Sequence, residues 1–185
     1  MKIRATLPPS IAKNVLQGLD SKLSGPATYR AGRGVGDAWV VNWTNINASV
    51  TWQVRVNEPT TFKVSLVYDA SAGTAQNRLV EGDAGKELAK ANSGAGGTYV
   101  ATIAGQRFER AVKFGRPVNE PFGQITLAPG EYEIRVAAKE IKGAELFRLR
   151  RIELVPAAIP AETIRTPKPP LTPRINGPKV FGVRP

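Results

Sequence analysis

ASVTWQVRV, residues 48–56, sets Val50, Trp52, Val54 and Val56 against Thr51, Gln53 and Arg55. Successive side chains of an extended chain point to opposite faces, so a period of two marks a strand with one face in a core. After Asn57-Glu58-Pro59 the pattern restarts in TFKVSLVYD (61–69), with Phe62, Val64, Leu66 and Tyr68 on one face. Two such runs around a proline-bearing connection are expected to form an antiparallel pair. Working outward, GTYVATIAGQRF (97–108) holds Tyr99, Ala101 and Ile103 on one face and Gly105-Gln106 as a turn. RAVKF, GQITL and EYEIRVAA follow, the last after a sharp Pro129-Gly130 break. In ELFRLRRIELV (145–155) the apolar phase switches between Leu149 and Ile152, which predicts a bulge.

Seven or eight short strands with frequent turns predict an all-β fold, an antiparallel jelly-roll β-sandwich of the galactose-binding-like sort, with extended N- and C-terminal segments. RLVEGDAGKELAKAN (78–92) is the one helical candidate, and SGAGG (93–97) is expected as a flexible loop. Residues 156–173 hold six prolines and are expected as a semi-rigid linker. The expected divisions are an N-terminal extension (1–22), the sandwich (23–156), a linker (157–173) and a strand-competent tail (174–185).

Composition narrows the chemistry. The 185 residues contain no histidine and no cysteine. Ser-His-Asp and Cys-His catalysis and thiolate metal sites are therefore excluded. Carboxylates such as Asp37, Asp69, Glu109 and Glu120 are present, but no spacing argues for a glycosidase pair. No cofactor is expected; calcium at Asp37 or Asp69 stays an open alternative, because its six to eight oxygens must converge in space and a sequence does not show that. The net charge is +11, yet residues 37–155 carry fifteen basic and thirteen acidic side chains. The excess sits in the flanks, which are expected to cause any polyanion binding, and nucleic acid is not an expected partner. No apolar run reaches the length of a membrane span, and the N-terminus lacks the apolar core of a signal peptide. GRGVGD (32–37) precedes a strand-like run instead of opening a helix, so it is expected as a loop and not as a phosphate cradle.

All three tryptophans, Trp39, Trp43 and Trp52, fall within fourteen residues, among Asn42, Asn45 and Asn47. Sugar rings stack on aromatic faces and bond to planar amides. Trp52 follows the inward alternation and is expected in the core. Trp43 stands between core and platform.

Several spaced words carry a resemblance: Tyr29, Trp43-Thr44-Asn45, Trp52, Tyr68, Gly105-Gln106, Leu127 with Pro129-Gly130, and Leu149-Arg150-Arg151-Ile152-Glu153-Leu154-Val155-Pro156. Over residues 23–156 the chain resembles accessory β-sandwich modules of bacterial α-L-fucosidases, sulfatases and α-galactosidases. The resemblance implies a non-catalytic, carbohydrate-binding-like module of a periplasmic or secreted glycoside hydrolase. Trp43, Tyr29, Asn42, Asn45 and Asn47 would be its sugar contacts. PRINGPKVFGVRP (173–185) resembles the opening of the immunoglobulin-like domain that follows such modules, as though the next domain had been cut away. The alternative expectation is a structural module that packs on a neighbouring domain and binds no sugar.

Overall fold

The computed structural model describes residues 4–30, 38–71 and 94–157. The expected helix at 78–92, the GRGVGD loop, Asp37 and the tail beyond Ala157 lie outside the described residues.

Among the described residues twelve strands make two six-stranded sheets: β1 Arg4–Thr6, β2 Asn14–Gln17, β3 Lys22–Ser24, β4 Thr28–Arg30, β5 Trp39–Val41, β6 Ser49–Val56, β7 Thr60–Ala70, β8 Gly97–Ile103, β9 Gln106–Ala111, β10 Gly115–Leu127, β11 Gly130–Ile141 and β12 Arg148–Pro156. Sheet I runs β1-β6-β11-β8-β9, with β3 also on β6; sheet II runs β10-β7-β12-β5-β4, with β2 also on β12. Every pair is antiparallel except β1 with β6. This is the all-β jelly-roll sandwich that the alternation predicts.

The inward faces follow the period of two. Val50, Trp52, Val54 and Val56 of β6 and Phe62, Val64, Leu66 and Tyr68 of β7 are all buried, as are Tyr99, Ala101 and Ile103 of β8. Each of the Val, Leu, Ile and Phe side chains among them contributes about 1.5–3 kcal/mol of apolar burial. Along the core, Phe147 stacks on Tyr68 at 4.6 Å and meets Tyr99 and Trp43 edge-on at 5.2 and 5.4 Å.

The structure corrects four local expectations. β6 and β7 do not pair: they lie in opposite sheets, and Asn57–Pro59 carries the chain across so that both apolar faces meet. The segment 1–22, expected ahead of the body, supplies β1 to sheet I and β2 to sheet II, so sandwich strands begin before residue 23. GQITL is only the end of β10, which starts at Gly115 and tolerates Pro117 and Pro121 because it is an edge strand with outward N–H groups to spare. The β8–β9 turn is Ala104-Gly105, one residue earlier than expected, with both residues at positive φ (48° and 83°).

The predicted bulge is present, as a register shift between Leu149 and Arg151 where β12 meets β7. Leu149 and Ile152 stay in the core. Arg150 and Arg151 are thereby accommodated together on the outer side, beside Arg148.

Candidate functional site

Strand register gathers five connections at one end of the sandwich. Ser49 opposes Ala137 and Ser24, Gly97 opposes Ile141, Asp69 opposes Arg148, and Gly115 opposes Ala70. The links 25–27, 42–48, 71–96, 112–114 and 142–147 therefore leave from the same end. Here a cleft of about 250 Å³ opens on the outer side of sheet II, lined by Trp39, Asp69, Ser71, Arg116, Glu145, Arg148 and Arg150.

The cleft is built by the bulge and by close backbone packing. Arg150 donates two hydrogen bonds to Asp69, Nε to Oδ1 at 2.8 Å and a terminal nitrogen to Oδ2 at 2.7 Å. Its guanidinium also lies over the Trp39 ring, 4.8 Å from the centroid. Arg148 donates to Glu145 at 2.7 Å, and Arg116 donates to the Ser71 hydroxyl. A forked pair of this kind fixes both planes, and each carboxylate oxygen keeps lone pairs for a further donor. The Trp39 indole nitrogen is buried and has no acceptor among the described residues.

The glycine run behind the cleft is firmly bonded, contrary to the flexible loop expected there. Ala95 N–H donates to Ser71, Gly96 to Glu145 and Ala144 to Gly94. Gly143 approaches this run so closely that a Cβ would collide with the Gly94 carbonyl. Small residues allow two backbones to touch, and their hydrogen bonds hold Ser71 and Glu145 in place.

The structure separates the residues singled out from sequence. Trp43 is fully buried, edge-on to Phe147, with its indole N–H directed to the Ala48 carbonyl at 3.3 Å. It presents no ring face to a ligand, so the platform expectation at Trp43 gives way to a core role. Asn42, Asn45 and Asn47 are exposed on the connection that Trp43 anchors. Asn42 sits at φ 59° and donates to Thr28 at 2.8 Å, while Asn45 accepts from the Asn47 N–H at 2.8 Å. Asn45 thus braces its own turn, while Asn42 ties this connection to β4. Tyr29 lies on β4 opposite Val40, and its side chain is outside the described residues. Trp52 is in the core as expected, donating to the Gln17 carbonyl at 2.8 Å.

Sequence reasoning missed the arginines and Glu145. The available signal was the bulge: a phase switch in LRRIEL implies adjacent outward arginines, and Asp69 ends the outward alternation of β7. Among the described residues no group of three or more acidic, histidine or cysteine side chains gathers as a metal cluster.

No protein-family model and no curated protein matches the chain. Solved structures do. At 16% identity and a TM-score of 0.52, 86% of the chain overlays 29% of a Podospora anserina GH26-CBM35 β-(1,4)-mannanase. At 13% identity and 0.52, 78% of it overlays 98% of a family 35 carbohydrate-binding module from Clostridium thermocellum. At 8% identity and 0.59, 85% of it overlays 25% of the mosquito-larvicidal Cry4Aa toxin of Bacillus thuringiensis. At these identities the shared property is the fold. The chain spans less than a third of the mannanase it matches.

Proposed function

We propose that the chain is a non-catalytic carbohydrate-binding module, a part of a multidomain α-galactosidase-like glycoside hydrolase whose parent is periplasmic or secreted. The observation that carries this reading is the cleft at the loop-rich end. There an aromatic wall, Trp39, meets planar hydrogen-bonding groups, Asp69, Glu145, Arg148 and Arg150, held rigidly by one another. Vicinal sugar hydroxyls are matched by such forked donors and acceptors. The volume, at or below the low end of small-molecule pockets, suits one sugar unit better than a long chain. The fold shared with a free-standing carbohydrate-binding module adds support. Asn42 and Asn47, exposed on the 42–48 connection, would serve as further contacts.

A module of this kind holds substrate near a catalytic partner and raises its effective concentration. Affinity electrophoresis against the neutral polysaccharides mannan, galactan and xylan tests it. At least one polysaccharide is expected to retard the wild-type chain, and Glu145→Ala and Arg148→Ala are expected to abolish the retardation while leaving the melting temperature nearly unchanged. Retardation by none, or equal retardation of the variants, rejects the reading.

A second reading has its own observation. Ile46 and Phe114, 57% and 62% exposed, lie on two connections at this same end. Large apolar side chains left in water there suit contact with a neighbouring domain. This reading is favoured if the isolated chain binds no glycan.

A further inference from the structure

Five strands of sheet I align a row of outward side chains. Lys22 of β3 opposes Thr51 of β6, Thr51 opposes Arg135 of β11, Arg135 opposes Thr102 of β8, and Thr102 opposes Arg107 of β9. Directly opposed residues of an antiparallel ladder point to the same face. Their inward neighbours Leu23, Val50, Trp52, Ile134, Ile103 and Phe108 belong to or pack against the core, which places the row outside. The three cations stand on alternate strands, so they recur about every 10 Å. Lys22, Arg107 and Arg135 are all exposed, and neither Lys22 nor Arg135 makes an ion pair among the described residues. Between Arg107 and Arg135 lies a depression of about 240 Å³, with Lys139 at its side and Val100 and Thr102 at its floor.

The nearby acids leave this row positive. Glu109 answers Lys139 at 2.5 Å and reaches Arg107 at 3.6 Å. Exposed pairs of this sort contribute little and yield to a competing anion. Glu133, two residues from Arg135 along β11, accepts a hydrogen bond from Gln53. Charge summed along the chain hides the row, because its members lie far apart in sequence and only the register brings them together.

We propose that this face binds an anionic polysaccharide. The row of cations would neutralise successive sulfate or carboxylate groups, and the interleaved threonine hydroxyls would accept and donate to its oxygens. The face is on the opposite side of the sandwich from the cleft and does not depend on it. A polysaccharide fits better than single-stranded nucleic acid, because no aromatic side chain stands among the row's outward residues to stack on bases.

The test uses the full chain and measures affinity for heparin, polygalacturonate, neutral dextran and mixed-sequence duplex DNA as a function of salt. The row variant is Lys22→Gln/Arg107→Gln/Arg135→Gln, and the control removes the same charge away from this face, Lys13→Gln/Lys63→Gln/Lys142→Gln. Wild type is expected to bind heparin or polygalacturonate but not dextran, and the stronger of the two identifies the anionic group. The row variant is expected to lose roughly tenfold or more at about 0.1 M salt, with the slope of log K against log salt falling by about two to three. The control is expected to change less than twofold. Arg135→Gln alone, expected to lose a smaller part of the same affinity, serves if the triple variant folds poorly. Equal losses in row and control variants, or no loss because the flanks carry the binding, overturn the proposal. Tighter binding of duplex DNA that depends on the same three residues overturns the assigned partner.

Discussion

Trp43 shows how a residue can be conspicuous in sequence for one role and fill another. Its indole plugs the loop-rich end of the core and bonds to Ala48, while the Trp43 carbonyl accepts the Leu146 N–H at 2.8 Å. Trp43→Phe is expected to cost about 2 kcal/mol in denaturant unfolding, from lost volume and an orphaned carbonyl, with glycan binding unchanged. Tyr68 and Tyr99 make a second residue-level case. Burial pushes both phenols above the ordinary tyrosine range; for Tyr99, the charges of Tyr68 and Glu120 add to it. A folded value above the unfolded one stabilises the protein fully below about pH 10, and that stability falls as pH rises further. Absorbance titration is therefore expected to show these two phenolates appearing only together with unfolding above about pH 10. Their ionisation in a still-folded chain would contradict the packing described.

At the scale of elements, the long strands were legible and the short ones were not. β6, β7, β8 and β11 alternate over enough residues for the period to stand out. β1, β3 and β4 have three residues each, too few to show any period, and only their partners define them. Partner choice was also hidden. A short link suggests a hairpin, yet β6 and β7 separate into two sheets because each has a full apolar face to bury against the other. The bulge of β12 was readable, but its consequence, an arginine set gathered over Asp69 and Glu145, requires β7 and the 142–147 connection in place. The β8–β9 hairpin carries a local imperfection. A two-residue turn with both φ values positive favours Asn-Gly, and here Ala104 occupies the first position at 48°. Ala104→Asn is expected to raise stability by about 0.5–1 kcal/mol in urea unfolding. A loss instead would mean that the turn geometry is misassigned.

For the whole molecule, the two outer faces and the loop-rich end divide the surface by chemistry. Sheet I presents a cationic row, the loop-rich end of sheet II a small polar cleft with one aromatic wall, and the interior an aromatic spine joining the sheets. Composition foretold a sandwich without histidine or cysteine chemistry. It could not place the cleft, because the cleft's members come from β5, β7, β10, β12 and two connections, each ordinary in its own stretch. The three tryptophans allow sugar binding in the cleft to be tested at atomic resolution. Trp43 and Trp52 have their indole N–H groups bonded inside the core, and Trp39 alone lines the cleft. Heteronuclear NMR of the chain should show three indole N–H signals, followed while a retarding polysaccharide's oligosaccharide is added. A saturable shift of the Trp39 signal, assigned by its loss in Trp39→Phe, is expected, with the other two nearly still. A saturable binding isotherm that leaves the Trp39 signal unmoved would contradict the assignment of this cleft as the sugar site.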